Sequence, residues 1–280
     1  MSTEEYGIIV DSCCDLTPEL EERLGAISIP LTMICGQNEY VDDDKLDLVH
    51  FMEEMEINSD SVTTAAPSPV SFKEAIEKFS KSFLLTISGR LSATNAHAEM
   101  GKALAEENGL VDTHVFDSKT ASAGALLIAL RLRELISLGK PKEQIINSVN
   151  DFIDEVKTLF VLEKFDNLVK NGRLNKVTEK IINVMNVKLI MGADGEGSIK
   201  LFAKPRGTKR MVEALMDFIA KKDKPTSKET LVIAHCNNSE LVTKIVAEVK
   251  KRFDFREILV VPTRGISTVY ANDKGIIVAF

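Results

Sequence analysis

Three hydroxyls crowd a single turn of this 280-residue chain. Within Phe83 to Met100, FLLTISGRLSATNAHAEM, a strand-length apolar run (Phe83-Leu84-Leu85-Thr86-Ile87) breaks at Ser88-Gly89, and a helix-like segment begins near Leu91. A strand that turns sharply into a helix aims backbone N–H groups at one spot, which suits a carboxylate or a phosphate. Ser88, Ser92 and Thr94 add three side-chain hydroxyls to that turn. Ser92 could also be read as a nucleophile, but no G-x-S-x-G surrounds it. None of His50, His97, His114 and His235 stands in a motif that marks a base. The plainer role for Ser92 is a helix-start hydroxyl that satisfies orphan backbone donors. Asp11-Ser12 closes the apolar run Gly7-Ile8-Ile9-Val10 and has the look of a phosphotransfer loop. The next aspartate, Asp15, lies four residues on rather than two, so loop capping competes equally.

Further polar clusters lie elsewhere. Val62-Thr63-Thr64-Ala65-Ala66-Pro67-Ser68-Pro69 is a stiff loop, because each proline fixes its own φ and pushes the preceding residue into an extended conformation. Asp117-Ser118-Lys119-Thr120-Ala121-Ser122-Ala123-Gly124 precedes a largely apolar helix and reads first as its cap. Asn171-Gly172-Arg173, with Lys204, Arg206, Lys209 and Arg210, reads first as a solvated basic face. Asp42-Asp43-Asp44 reads as solvated surface, and Met52, Met55 and Met211 as core.

In this order the motifs resemble the DegV family, which includes the fatty-acid-binding subunits of bacterial fatty acid kinase. Ile87 to Thr94 resembles the family's SSxLSGT turn, and Thr64 to Pro69 its TSQPSP loop. Asp117 to Gly124 resembles DSxxxSxG, and Asn171-Gly172-Arg173 resembles GGR. Near the end, Gly265 to Gly275 stands where the family carries a THxGPG-type segment, with Tyr270 in the place of the histidine. A phenol still donates one hydrogen bond but lacks the imidazole's charge change near neutral pH. Ala93 for a glycine and Ala65-Ala66 for Ser-Gln are further departures.

The resemblance implies a DegV-like fold of two α/β domains with a lipid-binding tunnel at or near their interface. It implies a protein that binds a long-chain fatty acid and is not itself the enzyme. The carboxylate would be held by Thr64 and Ser92, with Tyr270, Ser88, Gly89 and Thr94 beside them. Arg173 and Arg206 would meet a kinase catalytic subunit or the acyl-phosphate product. The fatty acid is then the ligand and no cofactor is expected. Two alternatives stand beside this reading: a divergent member that takes another lipid or amphiphile, suggested by Tyr270, and a hydrolase or phosphotransferase using Ser92 or Asp11.

The bulk numbers fit a globular protein with 44% hydrophobic and 28% charged residues. A net charge of −7 without a long basic block argues against nucleic acid. Cys13, Cys14, Cys35 and Cys236 show neither metal-ligand spacing nor CxxC, so no metal and a reduced, cytoplasmic setting are expected. The acidic start MSTEEYG is unlike a secretory signal, and the longest clean apolar run, Ala123 to Leu130, is far short of a bilayer span. Only transient membrane contact is expected. The chain carries no P-loop of its own for ATP.

The elements that must position these residues alternate along the chain. Gly7 to Val10, Ala26 to Ile34, Phe83 to Ile87 and Val111 to Phe116 read as strands, interleaved with helices over Lys45 to Met55, Val70 to Ser80 and Ala121 to Leu138. This alternation predicts a mostly parallel sheet with helices on its faces. After Pro141 to Lys157, an amphipathic helix, the texture changes. Strands at Thr158 to Leu162, Thr230 to Ala234, Glu257 to Val261 and Gly275 to Phe280 surround a hairpin, Val187 to Met191 and Ser198 to Phe202, and helices at Gly207 to Lys222 and Ser239 to Arg252. The predicted domains are residues 1–157 and 158–280.

Overall fold

The computed structural model describes residues 6–58, 62–107, 109, 111–174, 187–222 and 225–280. The acidic first residues and Asp223-Lys224 lie outside that range. Strands β1 (Gly7–Asp11), β2 (Ala26–Ile29), β6 (Lys81–Thr86) and β7 (Asp112–Asp117) form a parallel sheet of order β2-β1-β6-β7. The expected strand Ala26 to Ile34 is instead two. Pro30 lacks an N–H to continue the ladder, and the chain leaves to form β3 (Thr32–Cys35) of a separate antiparallel sheet, β4-β3-β5. That small sheet adds β4 (Asn38–Val41) and β5 (Thr63–Ala65), the latter inside what the sequence presents as a loop.

Alternation along the parallel strands separates two layers. Ile9, Leu84 and Val115 face α3 (Pro69–Ile76) and α4 (Thr94–Glu106). Ile8, Val10, Phe83, Leu85 and Phe116 face the opposite way, toward α1 (Pro18–Leu24) and α5 (Ala123–Ser137). Pro18 at the first helical position and Gly25 at the left-handed C-terminal position bound α1. α2 (Leu48–Ile57), capped by the Asp47 side chain, packs Phe51 on Tyr40 of the small sheet.

After α6 (Lys142–Glu155) every strand among the described residues joins a third sheet, of order β10-β9-β8-β13-β11-β12. Its members are β8 (Thr158–Val161), β9 (Ile190–Ala193), β10 (Ile199–Ala203), β11 (Thr230–His235), β12 (Glu257–Pro262) and β13 (Ile276–Ala279). Only β11 and β12 pair in parallel; the other neighbours are antiparallel. Helices α8 (Gly207–Ala220) and α9 (Ser239–Arg252) cover its outer face through Met211, Leu215, Ile219, Ile245 and Val249. Its inner face, with Val232, Ala234, Ile277 and Ala279, joins the same apolar cluster as α5 and the parallel sheet. Two short helices complete the frame of the site: α7 (Asp166–Lys170) and α10 (Gly265–Ala271), the second in a stretch where the sequence suggests no helix. Among the described residues, no helix is long and apolar enough to cross a membrane.

Candidate functional site

In the parallel sheet the chain winds one way from β1 to β2 and the other way from β6 to β7. Such a reversal leaves a crevice outside the carboxyl ends of the two central strands, where ligands of open α/β sheets bind. Asp11 and Ser88 lie at those two ends. Above them is a cavity of about 870 Å³ of empty space, the open solvent at its mouth included. Its far wall is the inner face of the six-stranded sheet, through Thr158, Phe160 and Ile277.

Three half-buried hydroxyl-bearing residues, Thr64, Ser92 and Tyr270, line this cavity. Thr64 on β5 and Tyr270 on α10 are 206 positions apart, yet Thr64 Oγ1 and Tyr270 Oη share a hydrogen bond of 3.0 Å. Ser92 lines the same cavity, and so does Arg173. The Ser92 hydroxyl pairs with Thr94 Oγ1 at 2.7 Å and accepts from the Thr94 N–H at 3.3 Å. Arg173 donates from Nε to the Leu91 carbonyl at 3.1 Å and from Nη1 to the Asn171 carbonyl. Asn171 in turn donates to the Val62 carbonyl at 2.9 Å, so the Asn-Gly-Arg turn braces both the serine turn and the strand before Thr64. His97 Nδ1 lies 2.8 Å from the Pro67 carbonyl and ties the proline loop to α4.

Other expected contacts fall elsewhere. Ser88 is fully buried; its hydroxyl donates to the Gly197 carbonyl at 2.8 Å and its N–H to the Thr120 carbonyl at 2.9 Å. Gly89 N–H is taken by the Asp117 carboxylate at 3.1 and 3.2 Å. Neither residue lines the cavity, and protein groups already take the donors that a ligand would need. Thr94 is buried as the first residue of α4 and reaches the cavity only through Ser92. The helix expected near Leu91 thus begins three residues later, after a turn closed by Leu91 and Ser92 N–H bonds to the Ser88 carbonyl. Arg206 is exposed, ahead of α8, and lies outside the cavity lining, as do the exposed Lys204, Lys209 and Arg210.

The acidic residues hold the frame. Asp11 accepts from Ile87 N–H at 2.7 Å and Cys13 N–H at 3.0 Å, joining the ends of β1 and β6. Asp15 accepts from Arg264 N–H at 2.7 Å and from the Ser122 hydroxyl. Burial pushes both carboxyls from the ordinary 3.8 up to about 7, outweighing the donors that favour the charged form. Asp42, expected on the surface, is buried and accepts from Gly265 N–H at 2.7 Å and Ile266 N–H at 2.9 Å, so it fixes the start of α10. Burial raises its carboxyl as well.

Sequence reasoning misses Cys13, Ser122 and Ser267, which all line the cavity. Burial pushes the Cys13 thiol well up, so it behaves as an apolar wall rather than a nucleophile. All four cysteines are free and buried.

This arrangement, a largely apolar chamber with hydroxyls, Arg173 and Lys119 in its lining, can be compared with known proteins. The model of the DegV family, described as uncharacterised proteins, matches residues 5–279. The chain belongs to the DegV family. A DegV domain-containing protein of Streptococcus pyogenes serotype M3 is 33% identical over 278 residues, covering 98% of this chain and 99% of the relative. A DegV-family structure from Ruminococcus gnavus, refined with vaccenic acid, superposes with a TM-score of 0.91 at 34% identity, covering 98% of this chain and 99% of that one. The fatty acid kinase B3 protein of Streptococcus pneumoniae, loaded with linoleic acid, superposes with a TM-score of 0.90 at 30% identity over 98% of both chains. The fold expected from the DegV motifs is the fold observed.

Proposed function

We propose that this DegV-family chain binds one long-chain fatty acid, tail in the cavity and carboxylate at Thr64, Ser92 and Tyr270, and presents that carboxylate to the catalytic subunit of a fatty acid kinase. The carrying observation is the cavity itself: walls such as Leu31, Ile87, Phe160 and Ile277 are apolar, while Thr64, Ser92 and Tyr270 bring half-buried hydroxyls to it. Burying about 15 methylenes at roughly 0.8 kcal/mol each is worth on the order of 12 kcal/mol before entropy costs. The tail therefore supplies the affinity, and the polar end supplies orientation. A carboxylate in such a place is tolerated when several donors face it. The Arg173 guanidinium adds a charged one beside the acyl head or the acyl phosphate formed from it.

The fatty acids in the Ruminococcus and Streptococcus structures support this reading, and the kinase partner rests on the description of the Streptococcus pneumoniae protein. A hydrolase reading fits the geometry less well, because the partner of the Ser92 hydroxyl is Thr94 rather than a base.

Mass spectrometry of the protein denatured after purification should release a fatty acid, and added oleate should raise the melting temperature of the delipidated chain. With Mg-ATP and a fatty acid kinase catalytic subunit, acyl phosphate should form only when this chain is present. No bound fatty acid together with no oleate-dependent shift would overturn the proposal.

A further inference from the structure

Gly124, which closes the Asp117–Gly124 motif, is not required to be a glycine by its backbone conformation. It is the second residue of α5, its φ is not positive, and a helical glycine costs roughly 0.5–1 kcal/mol relative to alanine. Such a residue calls for a packing reason. A methyl group built there would overlap Thr158 Oγ1 and sit 2.5 Å from Thr120 Oγ1 and 2.8 Å from Thr120 Cγ2. Both threonines line the cavity, and their hydroxyls are joined by a 2.8 Å hydrogen bond.

The wall cannot retreat as a unit. Thr120 N–H donates to Ser118 Oγ at 3.2 Å, and the Thr120 carbonyl accepts from Ser88. The same loop holds Lys119 and Ser122 at φ 51° and 53°, left-handed conformations that non-glycine residues keep only when their surroundings enforce them. Thr158 is paired with Ala279 in the sheet, and Gly192 packs flush on its carbonyl from the neighbouring strand. With both backbones fixed, only the threonine side chains can move, and their free direction is the cavity. Thr158, Phe160 and Leu162 face that cavity at every second position of β8 and its extension, a span of about 13 Å.

We propose that Gly124 sets the bore of the cavity at its Thr158 end, and so decides which acyl chains the protein accepts, by leaving the Thr120–Thr158 hydroxyl pair undisplaced. Gly124 acts through the threonines and is a positioning residue. This rests on the fatty-acid reading above.

The test measures affinities of the delipidated protein for tetradecanoic and octadecanoic acids in wild type, Gly124→Ala, Thr158→Ala and the double variant. Gly124→Ala should weaken octadecanoic acid by about tenfold more than tetradecanoic acid. Thr158→Ala, which removes the nearest colliding hydroxyl and opens space into which Thr120 can shift, should move the ratio back toward wild type in the double variant and by itself shift preference toward the longer chain. Should Gly124→Ala not fold, that last shift is the deciding measurement. An unchanged length preference in Gly124→Ala and Thr158→Ala, or an equal loss for both acids without rescue, overturns the proposal while leaving fatty-acid binding intact. A wild type that binds neither acid overturns the fatty-acid reading itself.

Discussion

Each buried carboxylate near the site is matched by backbone donors, and burial still wins. Asp11 and Asp15 each have two donors, yet both carboxyls rise to about 7. In the unfolded chain they titrate near their ordinary value of about 4. Between about pH 4 and about 7 the folded protein therefore binds more protons than the unfolded one, and their contribution to stability falls as pH rises through that window. His114 and His235, whose burial lowers their values, act in the opposite sense below about 6.5. The informative quantity is thus a difference. The melting temperature of Asp11→Asn, followed from about pH 5 to about 7.5, should decline less with pH than that of the wild type. Because an amide cannot accept from both Ile87 and Cys13 as the carboxylate does, the variant should also be less stable throughout by about 1–3 kcal/mol. Parallel pH profiles for the two proteins would refute the assignment.

At the level of elements, α10 depends on a residue more than two hundred positions away. Asp42 accepts the first two N–H groups of a seven-residue helix that carries Ile266, Ser267 and Tyr270 into the cavity. Asp42→Ala leaves both donors buried and unpaired, and roughly 3 kcal/mol of stability should be lost. The melting-temperature rise given by oleate should shrink as well, since α10 no longer presents Tyr270 to Thr64. A loss below about 1 kcal/mol in denaturant unfolding would show that α10 holds without this cap. The same dependence explains what the sequence leaves unread. Local signals place a helix at Ser239–Arg252 and a strand ahead of the serine turn, because the information for each lies within a few residues. The segment Gly265–Ala271 is rich in β-branched residues and has a cap remote in sequence, so nothing local announces a helix. Thr64, Ser92 and Tyr270 stand out as hydroxyls that the motifs assign to a ligand. Ser122 and Ser267 lie in motif segments without such a role, and Cys13 follows Asp11-Ser12; only the packing of α5 and α10 around the tight turn Ser12–Cys14 brings them to one wall.

For the whole molecule, the change of texture near Lys157 matches a change of sheet, but the apolar interior does not divide there. One cluster contains Ile8 and Phe83 of the parallel sheet, Leu126, Ile128 and Leu132 of α5, and Val232 and Ile277 of the six-stranded sheet. α5 is apolar around most of its circumference, as a helix enclosed on several sides must be. It packs on β11 and β13 as well as on its own half of the chain. Removing residues 158–280 would expose those faces to water at roughly 25 cal/mol per Å². We therefore expect the full chain to unfold in one cooperative step, with calorimetric and van't Hoff enthalpies equal. A fragment of residues 1–157 should fail to remain a folded monomer. Because the cavity lies between the two sheets, a bound fatty acid should raise that single transition as a unit, by about 2.7 kcal/mol at a ligand concentration a hundred times Kd. Two separate transitions, with only one responding to oleate, would instead mean that the halves fold independently and that the ligand belongs to one of them.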